Sequence, residues 1–207
     1  MNIFCDLDGT LIDSKPRLFA LFRNLVPEAA EFSFEQYWRW KLDGLKHDDI
    51  LKNEFQYDEN QMQHFIKSWF EKIETEKYLA FDKPFSFSIE GLSLLQGKGH
   101  QLYLVTTRRD RATAIRQLQQ LELEKYFKQI LITEKLGDKV AMVRELSVTL
   151  SPSDIFVGDT EEDIRSGKEL GIRTASVLSG FRSEKELQKW APDYLYHDFE
   201  EFVLSII

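Results

Sequence analysis

From residue 101 onward, short apolar runs alternate with helical stretches, and no other feature of the sequence restricts the fold as much. Residues 101–105, 129–132, 154–157 and 173–178, with a shorter run at 194–196, read as strands. Between them, 112–121, 139–149, 161–170 and 184–190 carry helical spacing, and a terminal helix follows. Parallel neighbours need a crossover of helix length, so this alternation predicts a parallel, doubly wound α/β sheet. One more strand is expected at residues 2–6. After it the period changes. Leu18, Leu21, Phe22 and Leu25 share one helical face, and Phe34, Tyr37, Trp38 and Lys41 form a second run. His47 to Phe55 forms a third after the break at Asp43-Gly44, and Met62, Phe65, Ile66, Trp69, Phe70 and Ile73 form an amphipathic stripe. No strand is expected between 15 and 80. The expected organisation is an α/β core from 1–14 and 81–207, with an α-helical block inserted at 15–80. Residues 82–87 return the chain to the core, and 88–96 form its next helix.

Composition narrows the function classes. A formal net charge of -8 over 207 residues disfavours a nucleic-acid surface, which needs clustered Lys and Arg. It leaves room for a small anionic substrate, which needs only local positive charge or a metal. The single cysteine, Cys5, rules out an intramolecular disulfide and fits a reducing compartment. Its place in an apolar run marks it as a packing residue. No secretory leader is apparent, and no apolar run approaches the ~20 residues of a membrane span. The expected location is the cytoplasm, with no membrane or nucleic-acid partner, as a monomer or homodimer.

The chemistry-bearing residues gather at strand ends. Asp6-Leu7-Asp8-Gly9-Thr10 follows the apolar run Ile3-Phe4-Cys5. In an extended chain Asp6 and Asp8 project to the same side, and two close carboxylates repel unless a cation or proton lies between them. Oxygen-rich pairs suit a hard ion such as Mg2+. The local alternative is an acidic turn. The run Leu102-Tyr103-Leu104-Val105 ends in Thr106-Thr107, whose hydroxyls and backbone N–H groups can bind phosphate oxygens. Phe156-Val157-Gly158-Asp159 ends a third run, and Asp163 follows in the first turn of the next helix. A helix macrodipole accounts for Glu161, Glu162 and Asp163 there, but not for Asp159. Lys139, which opens a helix after Gly137-Asp138, is the candidate cation, with Lys135 competing. Arg108, Arg109 and Arg111 form a basic cluster that reads mainly as a solvated face, the alternative being that it attracts an anionic substrate. The histidines show no metal-ligand spacing, and His47 reads as a polar surface residue.

The order of these motifs, D-x-D-G-T, Thr, Lys and G-D-x-x-x-D, resembles the haloacid dehalogenase superfamily. The likeness is to its phosphatase branch with a helical cap of the phosphoglycolate-phosphatase type. One departure is that Lys139 is followed by Val140, where the family often has Lys-Pro. The resemblance implies a Mg2+-dependent phosphatase acting on a small phosphorylated metabolite through an aspartyl-phosphate. Asp6 would be the nucleophile and Asp8, protonated at first, the general acid and then base. Asp6, the backbone carbonyl of Asp8, Asp159 and Asp163 would hold the metal. Thr106, with Thr107, and Lys139 would bind the phosphoryl oxygens. Asp8 favours phosphoryl transfer over carbon–halogen cleavage. A phosphomutase on the same scaffold is the alternative, with the cap loop Lys41 to Lys46 as the place where specificity would be set.

Overall fold

The computed structural model describes residues 1–134 and 137–207. Strand β1 (Asn2–Cys5) leads through the two-residue β2 (Ile12–Asp13) into α1 (Lys15–Leu25), α2 (Phe34–Leu42), α3 (His47–Phe55), α4 (Glu59–Lys72) and α5 (Glu76–Leu79). The chain returns through β3 (Lys83–Pro84). It then alternates: α6 (Ser88–Gly97), β4 (Gln101–Thr106), α7 (Arg111–Gln120), β5 (Gln129–Ile132), α8 (Lys139–Arg144), β6 (Ile155–Gly158), α9 (Glu161–Leu170), β7 (Arg173–Val177), α10 (Glu184–Gln188), β8 (Tyr194–Tyr196) and α11 (Phe199–Ile206). Six strands form one parallel sheet in the order β5-β4-β1-β6-β7-β8. The chain winds outward from β1 through β4 to β5, then crosses back to β6 on the other side of β1. That reversal leaves a crevice at the carboxyl ends of β1, β4 and β6, where open α/β sheets bind ligands.

Side-chain alternation along these strands builds a core on each face of the sheet. Ile3, Cys5, Leu102, Leu104, Ile155 and Val157 pack with Leu92, Leu95, Leu118, Phe202 and Val203 on one side. Phe4, Tyr103, Val105 and Phe156 pack with Leu131, Val143 and Ile172 on the other. There the Phe4 ring stacks on Tyr103 at 5.0 Å and on Phe156 at 6.2 Å, tying three strands together. Cys5 is fully buried as a packing residue, and burial pushes its thiol pKa up. No helix among the described residues is long and apolar enough to cross a membrane.

The helices between β2 and β3 have their own aromatic core around Phe22, Tyr37, Trp38, Ile50, Leu51 and Phe65. Capping boxes start two of them, Ser33 with Gln36 and Asp58 with Gln61. His47 belongs to this core, which corrects the surface reading. Its ring lies 4.1 Å from that of Trp69 and also meets Phe22 and Phe65, while Tyr37 Oη contacts Nε2 at 2.9 Å. Burial lowers its pKa well below the usual histidine value, so it stays neutral.

Two strands that link the helical block to the sheet pair with each other: β2 and β3 run antiparallel, with Ile12 opposite Pro84 and Asp13 opposite Lys83. The return segment is therefore half of a two-stranded antiparallel ribbon. Helix α8 ends at Arg144, five residues short of the expected Thr149. The apolar residues Leu146, Val148 and Leu150 lie two apart and pack on the sheet, a spacing that suits extended chain rather than helix.

Candidate active site

Asp6 follows the last residue of β1, and its backbone N–H donates to Val157 O at 2.9 Å, which fixes it beside β6. Asp159 follows the last residue of β6, and Asp163 stands in the first turn of α9. Carboxylate oxygens of Asp6, Asp159 and Asp163 lie within 4.8 Å of one another, and all three side chains are buried. Lys139, the first residue of α8, is 3% exposed and reaches into the same group. Its Nζ donates to Asp6 Oδ1 at 2.6 Å and to Asp163 Oδ1 at 2.7 Å. Thr106 is buried at the end of β4, whereas Thr107 is exposed and takes no part in these contacts. Lys135 lies outside the described residues.

The electrostatics define what this cluster can accept. Burial pushes Asp159 up to about 7, with the Asp163 carboxylate adding to the rise against bonds from Phe181 N–H and Thr10 Oγ1. Burial also raises Asp6, opposed by Lys139. The two carboxylates facing Lys139 hold its ammonium charged despite burial, with its pKa raised. Three carboxylates against one ammonium leave an excess of negative charge that a hard divalent cation would cancel. The donor set is all oxygen, as Mg2+ prefers. The residues present therefore fit such an ion.

Asp8 faces different company. Arg108 donates to it through Nε at 2.6 Å and Nη2 at 2.9 Å, and Arg17 Nη2 donates to Asp8 Oδ1. Both arginines also meet Asp82, Arg108 Nη2 at 3.2 Å and Arg17 Nε at 3.3 Å. Burial alone would raise Asp8, but Arg108 and Arg17 overcome it and hold the carboxyl at about 2. The protonated Asp8 expected from sequence is thus a carboxylate here, because two guanidiniums neutralise it. Its side chain takes no part in the acidic cluster, so only its backbone carbonyl remains for a metal role.

A family model for haloacid dehalogenase-like hydrolases matches residues 3–177. The chain belongs to the haloacid dehalogenase-like hydrolases. It is 28% identical over 208 residues to a phosphoglycolate phosphatase of Aquifex aeolicus, covering 93% of this chain and 90% of that protein. It is 25% identical over 212 residues to pyrophosphatase PpaX of Bacillus pumilus, covering 100% and 95%. A haloacid dehalogenase-like family hydrolase from Streptococcus pneumoniae has the same fold, with a TM-score of 0.79 at 24% identity over 100% of this chain and 98% of that one.

In this hydrolase the helical block closes directly over the sheet edge. Ser183 N–H donates to Leu42 O at 3.1 Å, and Trp38 meets Phe181 at 5.6 Å. Glu74 accepts from the backbone N–H groups of Arg109 at 2.9 Å and Asp110 at 3.0 Å. The loop from Lys41 to Lys46 lies in this seam. Lys41 Nζ donates to Leu45 O at 3.1 Å, and burial, with Arg182 nearby, pushes its pKa down to about 8.

Some of these residues escape a sequence reading. Arg108 is not part of a solvated basic face: it is 4% exposed, while Arg111 is exposed. Arg17 and Asp82 are equally buried. The available signal for Arg17 was its place four residues before Leu21, on the buried face of α1. Asp82 sits in a linker and carries no periodic signal. Gly180 is visible only in three dimensions, because a Cβ there would collide with the Asp159 carboxylate.

Proposed function

We propose that this hydrolase is a Mg2+-dependent phosphatase that acts on a small phosphorylated metabolite through an aspartyl-phosphate on Asp6. The observation that carries this reading is the setting of Asp6. It is buried at the switch point of the sheet, bonded to Lys139, and within reach of two further carboxylates suited to a divalent cation. The curated relatives, a phosphoglycolate phosphatase and a pyrophosphatase, support a substrate of this class.

An Asp6 carboxylate oxygen bonds to phosphorus as the bond to the leaving oxygen breaks. Asp8 supplies a proton to that oxygen, so it must first leave its arginines and gain the proton. It then takes a proton from the water that attacks the aspartyl-phosphate, releasing phosphate and restoring Asp6. Lys139 and Thr106 hold the transferring oxygens. Asp6, Asp159 and the backbone carbonyl of Asp8 would hold Mg2+, with Asp163 in support. When bound, the ion offsets the repulsion between a carboxylate and a phosphate dianion. Residues 15–80 act as a cap on the 1–14 and 81–207 core and shield the reaction from bulk water.

Release of inorganic phosphate from an aryl phosphate and a panel of small esters tests this. With Mg2+ the wild type turns over, while chelation or Asp6→Asn lowers kcat by several orders of magnitude. Full activity in Asp6→Asn would overturn the mechanism. Isomerisation of a sugar phosphate outpacing phosphate release would move the reading to a phosphomutase.

A further inference from the structure

Arg17 comes from α1 in the helical block, and Arg108 follows β4 in the core. Their side chains are almost wholly buried, and they meet Asp8 and Asp82 in a neutral quartet. The quartet does not use all its donors. Arg17 Nη1 and Arg108 Nη1 are buried without a hydrogen-bond partner among the described residues. A guanidinium carries five N–H donors and cannot shed its charge, so buried N–H groups left unpaired are costly unless a ligand takes them. The charge count points the same way. Once Asp8 turns to a reacting oxygen, two cations face Asp82 alone. Guanidinium forks match carboxylate and phosphoryl oxygens. An oxyanion that replaced Asp8 on Arg108 would lie within one carboxylate's width of it.

We propose that Arg17 and Arg108 form a subsite for a second oxyanion, carried on the substrate's leaving group one or two bonds beyond the ester oxygen. The proposal rests on the phosphatase reading for which bond is broken. Seating that anion draws the guanidiniums off Asp8 and joins the helical block to the core through the substrate. Esters with an uncharged leaving group leave the arginines on Asp8 and react slowly. The subsite therefore selects a short substrate with two anionic groups, the reacting phosphoryl group and either a carboxylate or a second phosphoryl group.

Matched pairs of probes test this: 2-phosphoglycolate against ethyl phosphate for the carboxylate, and pyrophosphate against methyl phosphate for the phosphoryl group. In the wild type with Mg2+, at least one charged probe exceeds its neutral partner in kcat/KM by about 10- to 100-fold. Which pair shows the larger ratio identifies the anion. Calorimetric titration of Asp6→Asn, where turnover is silenced, shows the same preference in binding. The charge-balanced double variant Arg17→Met/Asp82→Asn brings both ratios towards one. Arg108→Lys, which keeps the charge but loses the fork, lowers them. If the double variant does not fold, Arg108→Lys and the wild-type ratios still decide. Equal binding of charged and neutral partners overturns the subsite, and so do ratios unchanged in folded variants. A binding preference in Asp6→Asn without hydrolysis of any probe by the wild type keeps the subsite and overturns the phosphatase reading. Equal hydrolysis and equal binding do the reverse.

Discussion

Asp159 has almost no freedom to move. Thr10 Oγ1 donates to one of its carboxylate oxygens at 3.1 Å, and Phe181 N–H donates to the other at 2.7 Å. Gly9, at φ +88°, and Gly180 approach so closely that a Cβ on either would strike the carboxylate. Gly180 is the better probe, since its φ is not positive and alanine meets no backbone penalty there. Gly180→Ala is expected to displace Asp159 and cost about 100-fold in kcat, the scale of an ångström's misplacement. Far-UV circular dichroism should be unchanged. Activity within a few-fold of wild type would show that the crowding has no catalytic consequence. Lys139 stood out in sequence only as the lysine that opens a helix, with Lys135 as a competitor; Asp6 and Asp159 were legible because each follows an apolar strand, where a charged residue lacks a local structural reason. Arg17 and Asp82 were not, because their partners lie in separate parts of the chain. His47 was misread for a related reason: its neighbours Lys46 and Asp48 are polar, and the rings that bury it come from other helices.

At the scale of elements, β1, β4, β5, β6, β7 and β8 were legible because each is a short apolar run followed by a helix. The β2–β3 pair was not, since two residues per strand carry no period and the pairing joins positions about seventy apart. The end of α8 was missed because alternating Leu146, Val148 and Leu150 followed helical residues without a Gly or Pro to mark the change. Helix α9 joins local structure to the site most directly. Its cap Thr160 donates through N–H at 3.0 Å and Oγ1 at 2.8 Å to Asp163 Oδ2, leaving Oδ1 for Lys139. Thr160→Ala removes the hydroxyl from this box and should cost about 1 kcal/mol of stability. It should also lower kcat, because Asp163 and then Lys139 lose their positioning. Thr160→Ser keeps the hydroxyl and should restore both. A kcat loss that persists in the serine variant would detach the cap from the site.

For the whole molecule, the acidic cluster couples stability to pH and metal. Asp159 has a folded pKa of about 7 against an ordinary value of 3.8. A raised folded pKa means that the folded state binds more protons between those values. The stability this group contributes is present below 3.8 and is lost as pH rises through about 7. Mg2+ competes with that proton, so its stabilising effect should grow over the same window. The increment in melting temperature on adding Mg2+ should be small at pH 4 and markedly larger at pH 8, once Asp159 has lost its proton. At a hundredfold excess over Kd, linkage gives about 2.7 kcal/mol, or roughly 5–10 °C for a chain of this size. Comparing melts with and without the ion at each pH cancels groups outside the cluster, including the half-buried His47, whose pKa is lowered, and the carboxylate of Asp8, which is held at about 2. Asp159→Asn removes the unfavourable buried charge, so the metal-free variant should melt higher than metal-free wild type at pH 8 and respond little to Mg2+. An increment that stays flat from pH 4 to pH 8, or that survives intact in Asp159→Asn, would place the ion elsewhere and leave the buried carboxylates without the cation their charge calls for.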